Sequence, residues 1–140
     1  MKHILRAAGT ISAILGLLAG IRTGAAHHSA SMYDDTKILT IHGTVKEVRW
    51  VNPHVSLSIY GMLNEGDEPT DWLLETTSPG RLTRLGWTRP SVKVGDRVLI
   101  EIHPLRDGVQ HGGSIQKLTS IETGKSYGTN LRELDSPDHE

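Results

Sequence analysis

The chain has 140 residues, 15 basic and 16 acidic side chains, a net charge of −1 and no cysteine. This length allows one domain with one modest core, and the charge lacks the basic excess that nucleic acids and anionic membranes require. A cysteine-free fold has no disulfides, so its hydrophobic core must hold it together.

The first 26 residues predict a cleavable secretory signal. A short positive start precedes an uncharged run from 7 to 21, built mainly of Ala, Gly, Ile and Leu. This run is shorter than the about 20 apolar residues of a membrane-spanning helix, and small residues follow it, which is typical of cleavage after Ala25 or Ala26. We therefore expect export by the general secretory route and no stable membrane span after cleavage.

Cleavage after residue 26 removes three basic residues, Lys2, Arg6 and Arg22, and no acidic one. The remaining chain has 12 basic and 16 acidic side chains, and thus a net charge of −4. The acidic sign strengthens the prediction that nucleic acid is not a partner.

Alternating hydrophobicity predicts five to six β-strands. In the first, from 38 to 50, the apolar positions slip by one residue between Val45 and Val48, which predicts a bulged, bent strand. In the second, from 54 to 60, every other residue is apolar, beginning at Val55. Three further strands and a short final one are predicted at 71–76, 92–103, 114–121 and near Tyr127.

The residues from 78 to 86 predict a helix of about two turns between the third and fourth strands. Ser78 suits the N-cap, Pro79 the first helical position and Gly86 the position beyond the helix end. This order predicts a mainly all-β fold: an OB-fold-like Greek-key barrel of five to six strands with one short helix between strands three and four. A small β-sandwich is the alternative.

Four segments follow from these patterns. We predict a signal peptide over 1–26, an N-terminal segment over 27–37, the barrel domain over 38–128 and a polar tail over 129–140.

Two adjacent histidines, His27 and His28, stand at the predicted mature N-terminus. If cleavage follows Ala26, the free amine and the ring Nδ1 of His27 can chelate one metal ion. If it follows Ala25, His28 is the third residue, and the amine, two amides and an imidazole can surround the ion in a plane. Both arrangements favour Cu(II) or Ni(II), so a copper ion is the candidate cofactor. The alternative is a polar, flexible terminus without a ligand.

Two further histidines can supplement this metal site. His54 follows the Asn52-Pro53 turn, and His103 closes the fourth strand, both on the outward phase. Asp34 and Asp35 can add an oxygen ligand. For each of these side chains, the alternative is a solvated residue at the end of a strand.

The sequence carries no catalytic signature. It has no cysteine nucleophile, no Gly-x-Ser-x-Gly turn and no glycine-rich phosphate loop before a helix. We therefore name no catalytic residue, and the sequence favours a binding protein over an enzyme without deciding between them.

Several short motifs resemble a domain-of-unknown-function family of small exported bacterial proteins. They include Ala-His-His-Ser from Ala26, Trp-Val-Asn-Pro-His from Trp50 and His-Pro-Leu-Arg-Asp-Gly from His103. The resemblance spans about 27 to 127 and implies a Gram-negative periplasmic location and a β-barrel-like domain. It implies no function.

Two functions from different classes are compatible with the sequence. The first is a periplasmic copper-binding protein with His27 or His28 as primary ligands. The second is a metal-free periplasmic module that binds a small ligand, a saccharide or a partner protein on the outer face of the barrel; its candidate residues are Trp50, Asn52, Ser56 and Tyr60, with Ser58 between them. A copper redox enzyme is a third, weaker candidate.

Overall fold

The computed structural model describes residues 32–130, which form a β-barrel with one short helix. The predicted signal peptide, His27, His28 and the last ten residues lie outside this range. The strands are β1 (Leu39–Arg49), β2 (Ser56–Met62), β3 (Thr70–Glu75), β4 (Arg97–Pro104), β5 (Gly112–Ser120) and β6 (Ser126–Gly128). Helix α1 (Pro79–Arg84) and a single 3₁₀ turn (Arg89–Ser91) lie between β3 and β4.

The sheet closes on itself. Its strand order is β3-β2-β1-β4-β5-β6, with antiparallel neighbours, and β3 also pairs with β5 in parallel. This last pairing, from Leu73 opposite Gly112 to Glu75 opposite Ser114, completes a five-stranded barrel that leaves β6 as an extra strand. The predicted OB-fold-like barrel is confirmed, and the closed sheet rules out the β-sandwich.

The long first strand bends where the sequence pattern predicts a bulge. The pairing of β1 with β2 shifts register between Val45 and Glu47. An extra residue at this point moves the following apolar side chain back to the inner face, because strand side chains alternate in direction. The first half of β1 also pairs with β4, from Leu39 to Thr44. The bent strand β1 thus pairs with both β2 and β4.

The barrel interior contains the inward residues of each strand. Val55, Leu57 and Ile59 are almost completely buried, as their alternation predicts. Trp87 is 1% exposed, and its indole N–H donates to the Gly128 carbonyl at 2.8 Å, which fixes β6 on the barrel. The strands β4 and β5 add Val98, Ile100, Ile102, Ile115 and Leu118.

Helix α1 has the predicted ends. The Ser78 hydroxyl accepts from the Arg81 backbone N–H at 3.4 Å, and Gly86 adopts the left-handed φ of 86° beyond the last turn. Leu82 and Leu85 are buried among the core residues. The helix therefore contributes one apolar face to the barrel core.

The fourth strand begins later than the sequence pattern indicates. Residues before Arg97 form a turn in which the Lys93 N–H donates to the Asp96 carboxylate at 2.8 Å and Gly95 has a φ of 93°. Val92 is buried in the core cluster, but it precedes this turn and is not part of β4. Within residues 32–130, no helix has the length and apolar character needed to cross a membrane.

Candidate functional site

A cleft of about 420 Å³ opens on the outer wall of the barrel. We call it the wall cleft. It lies between β2 and β3 on one side and the loop joining β4 to β5 on the other. Its lining residues are Ser58, Asp71, Trp72, Leu73, Val109, Gln110 and His111.

Strand alternation supplies the floor of the wall cleft. Ser58 pairs with Leu73, and both alternate with residues that are buried in the barrel. Leu73 is 61% exposed although it stands between two core residues. Val109, in the facing loop, is 80% exposed. The cleft therefore offers apolar surface that the fold itself does not bury.

The wall formed by His111 is fixed in three ways. Its ring stacks on Trp72 with centroids 4.9 Å apart, and its Nδ1 lies 3.2 Å from the Thr70 hydroxyl. Its carbonyl accepts from the Leu73 N–H at 3.0 Å. Trp72 is itself held by its indole N–H, which donates to the Gly61 carbonyl at 3.2 Å. The cleft is therefore largely preformed, as ligand sites usually are.

The single carboxylate of the wall cleft is already paired. Lys46 donates to Asp71 at 2.7 Å, and its ammonium lies 5.8 Å from the centre of the Tyr60 ring. No lysine or arginine lines the cleft itself. Its recognition chemistry is thus apolar contact combined with neutral hydrogen-bonding groups.

The predicted ligand face overlaps this cleft only at Ser58. Ser58 lines the cleft, and Tyr60, 48% exposed, pairs with Asp71 at its border. Ser56 is half-buried opposite Glu75, farther along the same two strands.

The other two residues of the predicted face lie between β1 and β2. Trp50 is half-buried against the core, and its carbonyl accepts from Arg89 at 3.4 Å. Asn52 is exposed and joined to Pro53 by a cis peptide bond.

The two predicted supplementary histidines lie on or next to strands that are not neighbours, His103 on β4 and His54 two residues before β2. His54, just before β2, donates from Nδ1 to the Thr76 carbonyl at 3.1 Å. His103, on β4, donates from Nδ1 to the Lys37 carbonyl at 2.8 Å. In both rings Nε2 has no hydrogen-bond partner within residues 32–130, so it is the nitrogen that a ligand could use. Across the sheet, β3 and β5 lie between them on one side and β1 on the other.

The acidic residues near the N-terminal segment already have partners. Asp34 accepts from the Thr36 hydroxyl at 2.6 Å and from Lys37 at 3.1 Å, and these contacts lower the pKa of Asp34 to about 2. Asp35 pairs with Arg106 at 3.2 Å. Within residues 32–130, no group of three or more His, Asp or Glu side chains is arranged to hold a metal ion.

A tyrosine–glutamate contact marks the outer face beyond the wall cleft. The Tyr33 hydroxyl donates to Glu75 on β3 at 3.2 Å. Burial, together with the negative charge of Glu75, raises the pKa of Tyr33 to about 12. Tyr33 therefore remains protonated at any physiological pH and acts as a hydrogen-bond donor here.

Sequence patterns identified little of the wall cleft. Trp72 lies in the predicted third strand and His111 between the predicted fourth and fifth strands, but nothing in these patterns predicts that the two rings stack. The available signal is Leu73, an apolar residue between two apolar neighbours in an otherwise alternating strand. Such a residue must point outward, and here it lies on the floor of the cleft.

The sequence matches a family of unknown function, DUF6152, over residues 16–114. No curated protein and no solved structure matches the chain. The family match covers more than half of the chain, including β1 to β4 and every lining residue of the wall cleft. The chain therefore belongs to DUF6152.

Proposed function

We propose that this protein is an exported binding module that holds a small, neutral, hydroxyl-rich ligand of the saccharide class in the wall cleft. The observation that carries the proposal is the preformed cleft of about 420 Å³ on β2, β3 and the β4–β5 loop. In OB-type barrels, this face and this loop are where oligonucleotides and oligosaccharides bind. The volume lies within the range of small-molecule sites.

The chemistry of the lining favours a saccharide over a nucleotide. Sugars present apolar C–H faces beside hydroxyl groups, and the cleft combines exposed Leu73 and Val109 with Ser58 and Gln110. A nucleic acid would need cations for its phosphates. The nearby Lys46 is already paired with Asp71, and the cleft lining adds no other cation.

Binding can be tested by amide-resolved NMR titration with maltose, cellobiose and chitobiose. We expect shifts at Leu73, Gln110 and His111, and an affinity about tenfold weaker in Leu73→Ser. Ile121→Ser is the matched control, because Ile121 is also an exposed apolar residue (44%) but lies in the β5–β6 turn. Shifts centred elsewhere, or equal affinities in the two variants, would contradict the proposal.

Export to the periplasm is part of the proposal and rests on the N-terminal signal pattern. Expression with the native N-terminus in a Gram-negative host, followed by cell fractionation and intact-mass measurement, tests it. We expect a periplasmic product that begins at residue 26 or 27. A full-length product in the cytoplasm would contradict export.

Copper binding at the mature N-terminus is the second candidate function. One observation favours it: the first described residues are fastened beside His103. The Arg106 N–H donates to the Met32 carbonyl at 2.9 Å, and the Asp34 N–H donates to the Pro104 carbonyl at 2.8 Å. In the sequence, His28 precedes Met32 by four residues.

Native mass spectrometry of protein processed from its own signal tests the copper site. We expect one Cu(II) per chain, lost when three extra residues precede the mature N-terminus, because both histidines then lie beyond the third position that either chelate requires. His103→Gln reports whether that ring supplements the site, and His111→Gln is its control. Unchanged copper affinity in the extended chain would exclude the N-terminal site without bearing on the wall cleft.

A further inference from the structure

A second concavity, of about 250 Å³, lies between the end of β3, the first turn of α1, β5 and the residues after β6. We call it the end pocket. Its lining residues are Thr76, Thr77, Arg81, Ser114, Ile115, Gln116, Thr129 and Asn130. Ile115 is the sole apolar member of this set, in contrast to the wall cleft.

All the buried polar side chains of residues 32–130 meet at the end pocket. These are Thr76, Gln116 and Thr129, each 8% exposed or less. Burying polar side chains is unfavourable unless they are hydrogen-bonded, so a fold that gathers them at one cavity has a local reason to do so.

Two of these three side chains are satisfied within the protein. The Thr129 hydroxyl donates to the Ile115 carbonyl at 2.8 Å, with the Gln116 carbonyl at 3.1 Å. The Gln116 amide donates to the Ser114 carbonyl at 3.1 Å and accepts from Asn130 at 3.2 Å. These bonds make the β5 side of the pocket rigid.

Thr76 is the exception. Its hydroxyl is the one buried side-chain polar group within residues 32–130 that has no hydrogen-bond partner. Its main chain is well held, because the N–H donates to the Val55 carbonyl at 2.9 Å and the carbonyl accepts from His54. The backbone thus holds an unpartnered, buried hydroxyl on a residue that lines the cavity, which leaves one hydrogen bond at this lining unmade.

The groups that remain available in the end pocket are mainly donors. The Arg81 guanidinium has no ion pair within residues 32–130, and no carboxylate lines the pocket. One amide proton of Asn130 and the hydroxyl protons of Thr77 and Ser114 also have no acceptor within residues 32–130. The nearest acidic residue along β3, Glu75, accepts from Tyr33 instead.

We propose that the end pocket binds a small oxyanion, a carboxylate or phosphate group, between Arg81 and the Thr76 hydroxyl. A guanidinium presents its donors in a fork that matches such groups, and hydrogen bonds to charged partners are the strong ones. The oxyanion can belong to a free small molecule. It can also be a carboxylate of the chain's own acidic C-terminus, since Glu133 follows Asn130 by three residues in the sequence.

Amide-resolved NMR titration of the complete processed chain with inorganic phosphate, and separately with succinate, tests the proposal. Sodium chloride of equal ionic strength is the control. We expect saturable shifts at Thr76, Thr77, Gln116 and Asn130 that the chloride titration does not reproduce.

Two pairs of variants assign the site. Arg81→Gln should weaken binding at least tenfold, whereas Arg84→Gln, on the same helix but outside the pocket lining, should not change it. Thr76→Val should weaken binding about fivefold without lowering the unfolding temperature, because it removes an unsatisfied buried group. Ser120→Ala, at the far end of β5, is its control.

The source of the oxyanion follows from one further variant, Glu133→Gln/Asp135→Asn. If this variant binds phosphate and the parent chain does not, the tail carboxylates occupy the pocket, which supports the oxyanion site and names its source. If neither chain binds phosphate or succinate, or if Arg81→Gln binds as the parent does, the proposal is overturned. None of these results depends on saccharide binding in the wall cleft.

Discussion

The wall cleft and the end pocket are two concavities of one barrel, and their linings are of opposite character. The wall cleft exposes Leu73 and Val109, while its one charged lining residue, Asp71, is paired with Lys46. The end pocket has one apolar lining residue, an arginine without an ion pair and a buried hydroxyl without a partner among the described residues.

This difference indicates which interactions each site still lacks. In the wall cleft, apolar area remains exposed to water, so a ligand gains mainly by covering it. In the end pocket, hydrogen-bond donors remain unused, so a ligand gains by accepting from them. The two sites also depend on different parts of the barrel, which allows them to be disturbed one at a time.

We expect the largest effect from Trp87→Ala, which should lower the stability of the fold and disturb the end pocket. Trp87 is 1% exposed, packs on Tyr127 and donates to the Gly128 carbonyl, next to Thr129. Its removal should lower the free energy of unfolding by about 3–5 kcal/mol. Denaturant unfolding measures the loss, and NMR should show disturbed amides at Thr129. If the amides at the wall cleft are disturbed as strongly, the two sites are not independent.

Gly61→Ala should affect the opposite side of the barrel. A β-carbon at Gly61 would lie 2.5 Å from the His42 carbonyl oxygen and 2.8 Å from the Gly43 α-carbon. These are backbone atoms, so β1 and β2 must move apart, at a cost of about 1–3 kcal/mol.

Because the Gly61 carbonyl also holds the Trp72 indole, this displacement should reach the wall cleft. We expect weaker saccharide binding and unchanged phosphate binding, measured by the two NMR titrations. Gly80→Ala, where the added carbon meets only an arginine side chain at 4.0 Å, is the control. If Gly61→Ala weakened saccharide binding and phosphate binding equally, the two sites would not depend on different parts of the barrel.

The smallest expected effect is a change in stability at high pH. It arises from the contact between Tyr33 and Glu75, which lies between the two sites. The folded protein raises the pKa of Tyr33 from 10.0 to about 12, so it favours the protonated hydroxyl. The resulting stabilisation is fully present below pH 10 and is lost as the pH rises from 10 to 12. Ultraviolet titration should show one of the three tyrosines ionising near pH 12.

Glu75→Gln separates the two causes of the raised Tyr33 pKa, which are burial and the contact with Glu75. The pKa of Tyr33 should fall in this variant but stay above 10, because burial is the larger cause and is retained. Tyr33→Phe should remove the late ionisation, and Tyr60→Phe, the control, should not. A return of the Tyr33 pKa to 10 in Glu75→Gln would show that the charge of Glu75 is the main cause.

The fold was predictable from the sequence because its signals are local. The slip after Val45 predicts the bulge in β1, and Ser78, Pro79 and Gly86 predict both ends of α1. The sequence pattern places the start of β4 at Val92 instead of Arg97, because Val92 and Val94 alternate with polar residues as in a strand.

The sites were less predictable because each joins distant segments. The wall cleft depends on the stacking of Trp72 on His111, 39 positions apart, and the end pocket joins Thr76 to Thr129. Alternation assigns each side chain to a face of its own strand and does not reveal which loop lies over it. His27 and His28 lie outside the described residues, so copper binding remains a prediction.

His111 covers part of the edge of β3, and this cover has a consequence for solubility. β5 pairs with β3 only from Leu73 to Glu75, which leaves the start of β3 without a strand on that side. The loop covers this stretch: His111 accepts from the Leu73 N–H, stacks on Trp72 and reaches Thr70. An uncovered strand edge is a template for pairing with another chain. Shortening this loop to admit larger ligands would therefore be expected to promote edge-to-edge aggregation.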